Sequence, residues 1–324
     1  MSLARRGYHE SALEKARKRL TDFHLQLMDS TVDGYDLKEK TWKNFEVDRI
    51  SDIKWNTKPF ESLVLPDGYK ELILAFVESQ VRDKEAFDDL INGKGGGLVA
   101  LLAGDPGVGK TLTAESVAEK IQAPLFKMEL ADYDEDENRR DRDDGEPESP
   151  RPRDSTRSMD FTTAFSLAAR WGAVLLIDEC DMYLEKRSDA SSKRNRMVSR
   201  FLKELEYYPS LLFLTTNRER SLDAAIYSRI HLTINYPALD KPSRLLIWKT
   251  FLEKNGSVMS EADFEALSNI EVNGRRIRNI VKTAGIMAKR EKRKIGFGDV
   301  KNVMRITEGI EVEGLNKTEV KECF

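Results

Sequence analysis

Residues 104–111 read Gly-Asp-Pro-Gly-Val-Gly-Lys-Thr, the spacing G-x-x-x-x-G-K-T. This order of residue types suits the holding of a phosphate chain. Polyphosphate needs many hydrogen-bond donors close by, and glycine-rich backbone lets N–H groups approach it. Lys110 supplies a point charge for the β- and γ-phosphates, and the Thr111 hydroxyl can ligate Mg²⁺. Gly104, Gly107 and Gly109 give the loop its permissive positions, and Asp105, Pro106 and Val108 fill the variable ones. With Leu112, which follows, they are the expected cofactor-binding residues.

Two carboxylates form the next group. Asp178 and Glu179 end the apolar run 173–177. Beside a phosphate loop, Asp178 is expected to hold Mg²⁺ and Glu179 to polarise an attacking water. A third apolar run, 211–214, leads through Thr215 and Thr216 to Asn217, whose amide suits the attacking water or the γ-phosphate.

The surrounding elements follow from these groups. The run 98–103 has strand length, the glycine loop follows it, and a helix then begins. Leu112, Ser116, Val117 and Ile121 are expected to share one side of that helix. Strands are also expected over 123–130, 173–177, 211–216 and 230–235. Unbroken apolar strands with polar carboxyl ends belong to a parallel sheet covered on both faces. Helices are expected over 69–81, 159–171 and 193–208, and Ser221 is the expected cap of a short helix over 222–227. Four more helical patterns follow over 241–254, 261–267, 274–290 and 298–305, separated by Asn-Gly and Gly breaks.

Before the sheet, residues 1–28 read as an amphipathic helix that Gly34 ends. Residues 35–58 read as turns and short strands, with Trp42, Phe45, Val47, Ile50, Ile53 and Trp55 as buryable anchors. Residues 132–158 are rich in Asp, Glu, Arg, Pro and Ser, with almost no apolar side chain. Such a stretch cannot bury enough surface to offset ordering, so a disordered insert is expected, with a charged recognition loop as the alternative.

Composition narrows the function. Charged residues make up 34% of the 324, yet the formal net charge is only −3, which argues against a general nucleic-acid binder. The two cysteines, Cys180 and Cys323, are far apart and lack metal-ligand spacing. No apolar run approaches a membrane span and the N-terminus shows no signal-peptide core, so a soluble intracellular protein, cytoplasmic or nuclear, is expected.

Residues 104–111, 175–179, 215–217 and 228–229 stand in the order and spacing of AAA+ ATPases and resemble Walker A, Walker B, sensor 1 and an arginine finger. Stretches 171–180, 206–218 and 225–236 resemble a poorly characterised, largely fungal group of these ATPases that carries a longer N-terminal region. The resemblance covers about residues 58–310. It implies an α/β P-loop NTPase fold, a three-layer sandwich with a five-stranded parallel sheet, followed by an all-α lid. The implied division is an N-terminal helical arm over 1–58, the remnant of a longer region; the nucleotide-binding domain over 59–237; the lid over 238–310; and a tail over 311–324. Adenine is expected between residues 60–65 and the lid.

The resemblance also extends the site. Arg229 would be the arginine finger, acting on a neighbouring subunit of a ring, usually of six. The alternative is an ion pair with an acid of its own chain. Arg275 would be sensor 2, with Arg276 as its alternative. The aromatic–hydrophobic–glycine pore loop of threading members has no counterpart in the acidic insert. The expected function is Mg²⁺-dependent ATP hydrolysis coupled to remodelling of an unidentified macromolecular partner, with an unknown protein as the expected substrate. The alternatives are an ATP-binding assembly scaffold with negligible turnover, or a clamp-loader-like nucleic-acid motor.

Overall fold

The computed structural model describes residues 21–65, 68–82, 97–129, 161–181, 192–218 and 223–311. Its central element is a parallel sheet of five strands: β3 (Leu98–Gly104), β4 (Leu125–Glu129), β5 (Val174–Asp178), β6 (Leu211–Thr216) and β7 (Leu232–Tyr236), in the spatial order β4-β5-β6-β3-β7. Successive strand side chains point to opposite faces, so an unbroken apolar strand needs cover on both. Val99, Leu101, Leu175, Ile177, Leu212 and Leu214 enter one core, which the helices α5 (Phe161–Trp171) and α6 (Ser192–Tyr207) close with Phe165 and Phe201. Leu98, Ala100, Leu102, Val174, Leu176 and Phe213 enter the other, under α3 (Tyr69–Arg82) and α4 (Lys110–Lys120). The result is the expected three-layer α/β sandwich.

The helix after the glycine loop turns differently from expectation. Besides Lys110 at its start, its buried residues are Thr113, Ala114, Ser116, Val117 and Ala118, whereas Leu112 is 46% exposed. The buried stripe begins one residue later than the apolar periodicity suggested.

A second, all-helical body follows: α8 (Lys241–Lys254), α9 (Glu261–Ser268), α10 (Gly274–Arg290) and α11 (Phe297–Glu308). Trp248, Leu252, Phe264, Ile277, Val281, Ala284 and Val303 fill its core. Three of its four helix starts carry side-chain caps. Asp240 accepts from the Ser243 N–H, Ser260 and Asp263 form a capping box, and Asn273 accepts from the Arg276 N–H.

The N-terminal part departs most from expectation. Helix α1 (Asp22–Gln26) is short, and Gly34 lies inside a strand rather than ending a helix. An antiparallel hairpin, β1 (Thr31–Asp36) with β2 (Thr41–Glu46), places Tyr35 opposite Trp42. Tyr35 is the anchor: its ring stacks on Phe126 and lies 5.1 Å from Trp171. The anchors expected from residue type stay largely outside, with Trp42 57%, Val47 51%, Ile50 57% and Ile53 55% exposed. With only two strands, the hairpin cannot cover both its faces. The expected insert over 132–158, the Ser221 cap and the helix over 1–20 lie outside the described residues. The short helix α7 (Ala224–Tyr227) is capped instead by Asp223, which accepts from the Ala225 N–H. Among the described residues no helix is long and apolar enough to cross a membrane.

Candidate functional site

Strand order brings the chemistry together. β6 lies between β3 and β5, so the polar end of β6 separates the phosphate loop from the carboxylates. Each group reaches the next through it. The Lys110 ammonium donates to the carbonyls of Gly104 (2.7 Å) and Asp105 (2.8 Å) and to Asn217 Oδ1 (2.8 Å). Burial lowers its pKa, against the raising influence of Asp181, Asp178 and Asp105. The Thr111 hydroxyl donates to Asp178 at 3.0 Å, and the Thr215 hydroxyl donates to the same carboxylate at 2.5 Å. Lys127, from β4, pairs with Asp178 at 2.8 Å. Burial opposes the charge of Asp178, but hydrogen bonds from Lys127, Thr215 and Thr111 outweigh it and hold the carboxyl below its usual range.

Glu179 follows at φ +51°, a left-handed backbone uncommon for a non-glycine residue. Its N–H donates to Thr215 Oγ1 at 2.9 Å, and the next N–H, of Cys180, donates to the Thr215 carbonyl. Thr215 therefore grips the chain on both sides of the turn, and the Glu179 side chain projects into solvent at the carboxyl edge of the sheet.

Asn217 is oriented from behind. Asp181 accepts from the Asn217 N–H at 2.9 Å and from its side-chain amide at 3.2 Å, and also from the Thr216 hydroxyl. With the NH₂ end held, the Asn217 oxygen faces Lys110. Asp181 and Lys127 were not among the residues expected from the sequence, and Thr215 and Thr216, although inside the stretch 215–217, were given no role of their own. The available signal was short: an acid two places after Glu179, and two hydroxyls immediately before Asn217.

The loop itself is fixed at both ends. Gly104 packs so tightly under β7 that a Cβ would lie 2.5 Å from the Tyr236 carbonyl. Tyr236 in turn donates its hydroxyl to Thr113 at 2.7 Å. Gly107, at φ +82°, faces the lid, where an added Cβ would meet Arg275 Cβ and Asn273 at 3.0 Å. The Asn273 amide donates to the Pro106 carbonyl at 3.1 Å. Val108 is buried in the core and offers only its backbone, beside Phe60 of the short helix α2 (Lys58–Glu61) and Leu63. The lid arginines divide: Arg275 lies against the loop, whereas Arg276 pairs with Glu308 at 3.5 Å, away from it.

Arg229 stands apart from this group. Its guanidinium donates to Glu206 at 2.9 Å and to the Ala225 carbonyl at 2.9 Å. The own-chain ion pair is therefore formed. Leu232 pairs with Ala100 and Tyr236 with Gly104, so Arg229 precedes β7 at the end remote from the loop. At ~3.3 Å per strand residue, that is roughly 15 Å or more from its own loop.

The donors suit Mg²⁺. A hydroxyl and a carboxylate, both oxygen ligands, converge from two elements beside a phosphate loop, which is the hard-ligand environment this ion requires.

Comparison with known proteins agrees with this fold. The family described as "ATPase family associated with various cellular activities (AAA)" matches residues 100–238. The chain is 30% identical over 208 residues to the 26S proteasome regulatory subunit 6B homolog of Saccharomyces cerevisiae, covering 60% of this chain and 44% of that protein. It is 28% identical over 180 residues to spastin of Anopheles gambiae, covering 52% and 20%. The chain thus spans less than half the length of these relatives. The crystal structure of a FIGL-1 AAA domain shares the fold, with TM-score 0.55, 18% identity, and coverage of 82% of this chain and 87% of that one.

Proposed function

We propose that this chain is an AAA ATPase that hydrolyses ATP with Mg²⁺ and couples the reaction to remodelling of a protein partner, a reading supported by the family match over residues 100–238. The observation that carries the reading is the continuous contact from Lys110 through Asn217 to Asp181, beside Thr111–Asp178–Thr215, at one end of the sheet. Such a network fixes donors before substrate arrives, and preorganisation is the main source of catalysis in phosphoryl transfer.

The residues take distinct roles. Backbone from Gly104 to Leu112 cradles the phosphates, aided by the N-terminus of α4. Lys110 places its charge on the β- and γ-phosphates. Thr111 and Asp178 would hold Mg²⁺, which when bound neutralises charge on the phosphate oxygens. Glu179 takes the proton of the attacking water, and Asn217 orients that water or the γ-phosphate. Arg275, against the loop, adds a guanidinium from the lid, so lid movement and nucleotide state are coupled. Arg229 cannot span the distance to its own loop, so it serves the site of a neighbour in a ring-like homo-oligomer of about six subunits. Glu206 holds it oriented until then. Relatives named as proteasome regulatory subunits support a protein partner.

Two variants test the reading. Lys110→Ala is expected to weaken fluorescent-ATP binding and abolish phosphate release. Glu179→Gln is expected to bind ATP normally yet lose ~10²–10⁴-fold in turnover. Parental turnover in both would refute it. Normal binding with negligible turnover in the parent protein would favour the scaffold.

A further inference from the structure

Lys127 lies on β4, an edge strand, where a lysine ordinarily discourages strand pairing. Its side chain does something more specific. The ammonium is 2.8 Å from Asp178 Oδ2, with the lysine 40% and the aspartate 12% exposed. Glu129, which stands opposite Asp178 in the register, and Glu115 of α4 add to the acidic field around it. The same carboxylate receives Thr215 on its other oxygen, Oδ1, and Thr111 across both, at 3.0 Å to Oδ1 and 3.2 Å to Oδ2. Asp178 is thus served by two hydroxyls and one full positive charge.

A divalent cation that uses Thr111 and Asp178 must share this carboxylate with the ammonium. The two charges have the same sign. Across one carboxylate they would lie roughly 5–6 Å apart, and even at the dielectric of water their repulsion corresponds to about a tenfold change in affinity. The lysine stem is half-exposed, so the ammonium can move away, but only by giving up its ion pair. Either route lowers the affinity of the site for the metal. We propose that Lys127 is a resident counter-cation of Asp178 that sets the divalent-cation affinity of the nucleotide site. This rests on the reading of Asp178 as the metal carboxylate.

The test is equilibrium binding rather than turnover. MgCl₂ is titrated at fixed ionic strength against fluorescent (mant) ADP held below its dissociation constant, and anisotropy is read. Lys127→Met keeps the stem and removes the charge. It is expected to lower the half-saturating Mg²⁺ about tenfold, while Lys127→Arg stays near the parent. Circular dichroism checks folding, and Lys127→Gln replaces the methionine variant if that variant does not fold. A Mg²⁺ response that Asp178→Asn abolishes but Lys127→Met leaves unmoved, or moves upward, overturns the proposal alone. A parent whose nucleotide binding ignores Mg²⁺, with Asp178→Asn indistinguishable from it, overturns the metal reading and the proposal with it.

Discussion

Replacing Thr215 by Val should uncouple nucleotide binding from hydrolysis. The two side chains have nearly the same shape, and Thr215 is 2% exposed, so the packing is kept. What is lost is one hydroxyl that donates to Asp178 at 2.5 Å and accepts from the Glu179 N–H at 2.9 Å. A hydrogen bond to a charged group is worth about 1.5–3 kcal/mol, and an orphaned backbone N–H costs about 1–3 kcal/mol. Water at the open edge of the site recovers part of this, which leaves roughly 2–4 kcal/mol. The loss falls where the chain is already strained, at the φ of +51° of Glu179. If the whole amount appears as misplacement of the carboxylates in the transition state, kcat falls roughly thirtyfold to a thousandfold. Lys110 does not touch Thr215, so the affinity for nucleotide should change less than about threefold, which is under 0.7 kcal/mol. Phosphate release at saturating Mg·ATP and mant-nucleotide anisotropy measure the two separately. Thr215→Ser restores the hydroxyl and should restore most of kcat. A Thr215→Val protein with parental kcat, or one in which Thr215→Ser is equally impaired, refutes the reasoning.

Arg229→Ala and Lys110→Ala subunits should each be nearly inactive in phosphate release, and mixing them under exchange should return part of the activity; a mixture that stays inactive refutes action across subunits. Tyr35→Ala removes the ring that stacks on Phe126 and packs against Trp171, and should cost about 2–4 kcal/mol of local stability. Limited proteolysis should then cut near the hairpin while nucleotide affinity holds; an unchanged digestion pattern contradicts the anchor. In the lid, the Arg293 guanidinium hydrogen-bonded to Asp299 holds that carboxyl below its usual range. A depressed folded-state pKa stabilises above the unfolded value near ~4 and is lost as pH falls through the folded value. Urea unfolding followed from pH 6 to pH 2 should show that loss, and Asp299→Asn should flatten it; identical profiles would remove the pair from the account.

The sequence determined much of this protein because some of its constraints are local. The loop over 104–111 needs glycines and a Lys-Thr end wherever it occurs, so its spacing is readable without a fold. Strands buried on both faces must be apolar throughout, so Val174–Asp178 and Leu211–Thr216 were visible as runs. The lid helices carry their own caps at Asp240, Ser260 and Asn273. Tertiary structure decided what depends on which segment lies next to which. Nothing in a run of leucines states that β6 inserts between β3 and β5, yet that order alone gives Thr215 its grip on Asp178 and Asn217 its contact with Lys110. The same is true of Lys127, whose partner is 51 positions away, and of Arg275 against Arg276, adjacent residues on one helix that differ in direction. In the hairpin and the segment after it, residue type suggested burial for Trp42, Ile50 and Ile53, but Tyr35 took the docking place on Phe126 and Trp171. Apolarity states that a side chain gains by burial; only the packed chain determines which side chains find cover.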